Sequence, residues 1–394
     1  MKKFYILLFA ILTIANVYPI GKNPGASTDS SYAWPPGNIN LPKYFYKRFE
    51  GTINNNLNIV MNLIRIDTLL TGDYYYETTG MPVFFNSNSR INNDGTIYIG
   101  EDSNQPDSNS MPVLSGEIKG KFVNEHTIMG AWQMHNAQDA NYFNLVEKYP
   151  DGSVNLDIKE FGKKYICNDS KTADINFSLV QINDYKDKSI EDSINCNIVK
   201  SFINMYSPGE SIGKLKNPED VITDFINRYK EFINDTSLPP EYKQSWKDSD
   251  QTDVLFNSNN ILAEECTEFS FEGGAHPLIV YNYSNYNLRT GKKITLDDIF
   301  RPGYKATLDK IGERKFKEAR KIKLNEDLKN SGYLTGRDKF HLNFNFAISR
   351  LGLLFKFNEY EMGPYILGAP EVFISYTDLR YLMKPGNILE QFLK

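Results

Sequence analysis

Apolar and polar residues alternate along the first third of the chain and then change rhythm. Leu57, Ile59 and Met61 open a run in which every second residue is apolar, the period of a half-buried strand. Further short runs follow in "GDYYYET", "MPVFFN" and "GTIYIGE", with turn residues between them. "SGEIKGKFVNEHTIMGAWQM" predicts two strands joined at Asn124-Glu125, and "ANYFNLVEKY" closes the series. Closely spaced strands of this kind predict an antiparallel sandwich or barrel-like meander. After about Phe177 the period becomes helical. Ile190, Ile194, Ile198, Phe202 and Tyr206 recur every fourth residue, with Ser189 and Asp192 as a candidate cap. Asn217 and Pro218 suit the N-cap and first position of a second helix, whose apolar face runs from Val221 to Ile233. Strands around "DVLFNS", "ILAEECTEFSF" and "LIVYNYSNYNL" come next. A third helix follows near Lys305–Lys323, then three more strands and a helical end. The fold class is therefore α+β: an N-terminal antiparallel all-β domain, then a C-terminal α+β domain whose antiparallel sheet is packed by helices.

The ends of the chain add a compartment. Two lysines precede an apolar run from Phe4 to about Val17, too short for a comfortable membrane span and of the right form for a secretory signal. The expected organisation is a signal over 1–20, a Pro- and Gly-rich linker over 21–42, the β-domain over 43–168 and the α+β domain over 175–394. Export to the periplasm or cell surface follows, with no membrane span once the signal is removed. A net charge of −5 argues against nucleic acid as a partner. Cys167, Cys196 and Cys266 match no metal or redox spacing and read as small buried residues, with a Cys167–Cys196 bridge as the lesser choice. No cofactor and no metal are implied.

Candidate chemistry centres on "FEGGAHP". His276 follows Gly273 and Gly274, which permit a positive-φ turn or bulge between strands. The expectation is a fold-defining turn in which His276 bonds backbone. The competing one is an acid/base histidine paired with Glu272 in an enzyme acting on envelope carbohydrate. Asp248, Asp250, Asp253, Glu264, Glu265, Glu268 and Glu272 form an acidic stretch. A solvated sheet face, with Asp297 as an ordinary cap nearby, is the expected reading. A surface for a cationic partner through Glu264, Glu265, Glu268, Glu272 and His276 is the functional one. Tyr74, Tyr75 and Tyr76 predict cross-strand packing, with an adhesive surface as the alternative.

Several motifs in order then carry a resemblance: "GGAHP", Thr290 to Lys292, "LDDIF" at Leu296–Phe300, and Phe357 through Gly368. Over about 175–385 the chain resembles the extracytoplasmic domain shared by RsiV-like anti-sigma factors and PdaC-like proteins. The resemblance implies that Gly273, Gly274, Gly291, Asp298, Gly363 and Pro364 define the fold. It also implies a non-enzymatic envelope binding module whose partner is a lysozyme-like protein or peptidoglycan. The chain departs from both relatives, since it has neither an anti-sigma segment nor a deacetylase metal motif.

Overall fold

A computed structural model of the chain describes residues 39–102, 114–168, 171–206, 215–334 and 339–393. The expected signal and most of the linker lie outside the described residues.

The first sheet holds nine strands: β1 (Tyr44–Ile53), β2 (Leu57–Ile66), β3 (Leu69–Tyr76), β4 (Val83–Phe84), β5 (Arg90–Ile91), β6 (Thr96–Asp102), β7 (Leu114–Asn124), β8 (Thr127–Met134) and β9 (Ala140–Glu147). Its order is β2-β1-β9-β8-β7-β6-β5-β3-β4, and β2 also pairs with β3. That extra pairing closes eight of the strands into a barrel, which removes the free edges an open sheet would expose. Alternation fills the interior: Ile59, Met61 and Leu63 of β2 join Phe49, Phe122 and Leu145 in one core. The opposite face of the same strand is buried too. Ile64 packs with Val180, Ile182 and Val254 of the second sheet.

That sheet runs β10 (Asn155–Asn168), β11 (Lys171–Asn183), β12 (Trp246–Ser258), β13 (Ile261–Phe271), β14 (Leu278–Asn287) and β15 (Lys292–Lys293) in spatial order. The strand ending at 168, expected in the first domain, pairs along its length with β11. Alternation identifies a strand but not its neighbour, and the change of sheet falls between 147 and 155. β11 and β12 are parallel, and two helices, α1 (Lys188–Tyr206) and α2 (Pro218–Asn234), form the crossover between them. Ile194, Ile198 and Phe202 are buried on α1, as the four-residue spacing predicts. Its N-terminus is capped by Asp187, whose Oδ1 accepts from the Ser189 and Ile190 amides, and not by Ser189. Asn217 caps α2 as expected, accepting from the Asp220 amide at 2.8 Å. Thr295, not Asp297, caps α3 (Leu296–Ile299), with Asp298 completing a reciprocal capping box. The basic helix α4 spans Lys305–Ala319 and stops short of the expected Lys323. A third sheet, β16 (Phe346–Ile348), β17 (Gly352–Lys356) and β18 (Glu371–Ser375), and a short α5 (Tyr376–Leu379) complete the fold. No described helix is long and apolar enough to cross a membrane.

The three sheets meet at one buried ion pair. Lys356 Nζ lies 2.9 Å from Glu265 and 3.0 Å from Glu371, and 3.7 Å from the centre of the Tyr281 ring. The Phe84 ring of the barrel is 5.2 Å away. Burial alone would lower the ammonium; Glu265 and Glu371 outweigh it and hold the group well above the usual lysine value. Beside it Thr71 of the barrel donates to Asp253 at 2.6 Å. Replacing Lys356 by Met strands a buried carboxylate, which costs about 3–5 kcal/mol, whereas the double variant Glu265→Leu/Lys356→Met loses much less. Equilibrium urea unfolding distinguishes the two, and equal losses would contradict the assignment.

Candidate functional site, an exposed aromatic ledge above a buried acidic floor

The bend between β13 and β14 carries Gly273 at φ +99° and Gly274 at φ +108°. A Cβ at either would meet nothing within 4 Å, so the backbone conformation and not crowding requires glycine. This turn brings His276 to the surface and sets Pro277 just before β14. Nδ1 of His276 lies 2.9 Å from the Pro277 carbonyl oxygen, which can only accept. The ring therefore carries its proton on Nδ1 when neutral, and Nε2 accepts from the Tyr360 hydroxyl, 2.9 Å away. The imidazole also stacks on Tyr365, with ring centroids 3.9 Å apart. Tyr360 is 53% exposed, and Leu278 and Ile366 beside these residues are exposed too. Three stacked or bonded rings thus form a ledge open to solvent.

Side chains from the 343–361 segment hold the ledge in place. Asn345 accepts from the Tyr283 amide and Asn358 from the Tyr281 amide, each at 2.7 Å, and Glu359 accepts from the Ile279 amide at 3.2 Å. These three amides on the outer edge of β14 are thereby satisfied without another strand. Pro364 introduces the 3-10 turn Tyr365–Leu367 that presents Tyr365. At Gly363 a Cβ would sit 2.5 Å from Leu367, so this close approach accounts for that glycine. Gly291 lies against helix α1, where its carbonyl accepts from Ser193 at 2.9 Å.

The acidic stretch is not a solvated face. Asp248, Asp250, Asp253, Glu264 and Glu265 are all buried. Strand alternation divides them. Glu264, Cys266 and Glu268 share the face covered by α1 and α2, while Glu265 faces the barrel and the third sheet. Asp250 stands directly opposite Glu268, with Asp248 two residues along the same face. Among the described residues, Asp248 Oδ1, both Asp250 carboxylate oxygens and Glu264 Oε2 have no hydrogen-bond partner. Burial pushes Asp248 and Glu264 up to about 7 and Glu268 up to about 8. It also raises Asp250 well above the usual aspartate range, with Glu268 adding to the effect. Glu272 is not paired with His276; Arg228 of α2 holds both its oxygens, at 2.8 and 2.7 Å. The structure therefore sets Glu264 and Glu268 on one face of β13 without contact and Glu265 on the other, and His276 bonds Pro277 and Tyr360 instead of any of them. Cys266 is buried as expected, Cys167 and Cys196 are exposed, and all three are free thiols. Tyr74 and Tyr75 are buried in the barrel region.

Sequence reasoning did not single out Lys356, and it placed Tyr360 and Tyr365 in a fold motif without giving them a role. The lysine had a signal, a lone charge in the apolar strand "GLLFKF". The tyrosines had one as well, being fixed positions of the Phe357–Gly368 motif, but their meeting with His276, 84 residues from Tyr360, had none.

The raised carboxyls fix a pH dependence. In the fold Asp248 and Glu268 keep protons that the unfolded chain releases near its ordinary values of 3.8 and 4.5. Their contribution to stability is complete below those values and is lost as the pH rises toward 7 and 8. The urea midpoint should therefore fall between pH 5 and pH 8, and Glu268→Gln should flatten the fall; a midpoint that rises over this interval would contradict the burial.

Residues 166–279 match the family described as deacetylase PdaC, and residues 297–377 match a protein family of unknown function, DUF3298. A protein described as an esterase from Mycobacterium tuberculosis is 31% identical over 156 residues; the match covers 38% of this chain and 66% of that protein's length. A crystal structure of a DUF3298 family member from Bacteroides fragilis superposes with a TM-score of 0.52 at 20% identity, covering 61% of this chain and 98% of that one. A DUF3298 family protein from Pseudomonas aeruginosa gives 0.42 at 19% identity, covering 59% and 95%. His276 comes from the first matched segment and Tyr360 and Tyr365 from the second. The chain thus carries, in order, one segment that matches the PdaC family and one that matches DUF3298.

Proposed function

We propose that the protein is an exported, non-enzymatic binding module that holds a cell-envelope glycan, peptidoglycan first among them, on the His276–Tyr360–Tyr365 ledge. The observation that carries this reading is the imidazole–phenol stack at 3.9 Å left open to solvent. Pyranose rings present a face of weakly positive C–H groups, which suits the negative face of an aromatic ring, and the tyrosine hydroxyls supply polar contacts at its rim. Such rings lose little conformational entropy on binding, because the stack and the hydrogen bond already fix them. Export is part of the proposal and draws on the N-terminal apolar run. The PdaC-type match lends an envelope setting.

An enzyme acting on envelope carbohydrate through His276 is the second reading, and the esterase-named relative favours it. Against it, both imidazole nitrogens are engaged by Pro277 and Tyr360, and Glu272 belongs to Arg228. Glu264 and Glu265, the acids of the expected cationic-partner surface, are buried and offer a lysozyme-like protein no surface. An adhesive role for the first tyrosine cluster is likewise disfavoured by the burial of Tyr74 and Tyr75.

The test is binding of purified peptidoglycan fragments to the immobilised protein, with lysozyme as a parallel analyte. Tyr365→Ala should weaken glycan binding about tenfold or more. Tyr242→Ala, which removes an exposed ring elsewhere, should leave it unchanged. Binding of lysozyme alone, or equal effects of the two variants, would overturn the proposal.

A further inference from the structure

The ledge carries a charge pattern that narrows what it can hold. The two segments that build it, 272–280 and 357–368, contain Glu272, Glu359 and Glu361 and no lysine or arginine. Two of these acids are already committed. Arg228 holds Glu272, and Glu361 accepts from the Asn358 amide at 2.7 Å and from the Asn343 side chain at 2.9 Å. Glu359 differs. Its Oε2 accepts from the Ile279 amide at 3.2 Å, and among the described residues no lysine or arginine forms an ion pair with it.

This carboxylate belongs to the ledge. It is half-buried and immediately precedes Tyr360. Burial raises its carboxyl above the usual glutamate value, while the Ile279 amide and His276 pull it down. Burial raises the Tyr365 hydroxyl as well, with Glu359 as the next cause. Glu359 is thus within electrostatic reach of both stacked rings. The rings add to the same sign. Tyr360 and Tyr365 have centroids 5.8 Å apart and planes tilted by 41°. The face of a phenol ring is the negative part of its quadrupole, and a cation is drawn to it. A neutral sugar would use the ring faces and leave the carboxylate without a counter-charge. A sugar bearing an ammonium would use both.

We infer that the ledge prefers glycans with free amino groups: the pyranose lies against the tyrosine rings, and the ammonium of a 2-amino sugar meets Glu359. This inference rests on the ledge being the glycan site proposed above. An acetamido sugar offers the same ring face but no positive charge.

Calorimetry of the full chain with a glucosamine oligomer and an N-acetylglucosamine oligomer of equal length tests it, at about pH 6, where primary amines keep their proton. The glucosamine oligomer should bind at least about tenfold more tightly, and added salt should shrink that advantage. Glu359→Gln keeps an acceptor for the Ile279 amide and should bring the two oligomers to within about threefold of each other. Circular dichroism confirms that the variant is folded. Equal binding by the native protein, binding of neither oligomer, or an advantage that survives Glu359→Gln would overturn the inference. The ledge reading falls separately, when Tyr365→Ala leaves the binding of every glycan unchanged, peptidoglycan fragments included.

Discussion

The buried pair between Glu265 and Lys356 is the constraint on which the rest of the structure depends. It joins the six-stranded sheet to the three-stranded one, and the ammonium rests against Tyr281 and within reach of the barrel's Phe84. Two charges withdrawn from water are costly, and only close geometry with a third partner, here Glu371, offsets that cost. Position follows from it. Immediately beyond Lys356 the chain runs along the outer edge of β14, where Asn358 and Glu359 accept strand amides. The next residue, Tyr360, meets His276. The ledge is thus a consequence of where one lysine is anchored.

β13 serves two purposes through simple alternation. Glu265 faces the junction, and Glu264 and Glu268 face the helices. The junction carboxylate is paired, whereas Glu264 beneath the helices has one oxygen without a partner, and both it and Glu268 hold their protons to unusually high pH. A fold optimised for stability alone would place apolar residues on that floor. Their presence is a local departure from consistency, of the kind that marks functional sites.

Much of the architecture was legible in the sequence because it rests on local rules. The period of two around Leu57–Met61, the Asn217-Pro218 helix start and the paired glycines before His276 each point to what is observed. The turn around His276 is bonded to backbone as its context suggested. Burial of the acids was not legible. A run of Asp and Glu has the composition of a solvated face, and only the neighbouring sheets and helices make it an interior. The ledge was illegible for a related reason. Tyr360 and Tyr365 meet His276 only through tertiary packing, and no local pattern records that meeting. Helix caps fell between these cases, since Asp187 and Thr295 took the places that nearby polar residues suited equally well.

Hydrogen–deuterium exchange of the full chain, with and without purified peptidoglycan fragments, tests the central claim most directly. The account predicts slower exchange over 272–280 and 357–368, with the barrel strands between 44 and 147 unchanged. Binding accompanied by protection confined to the barrel, with no change at the ledge, would contradict it.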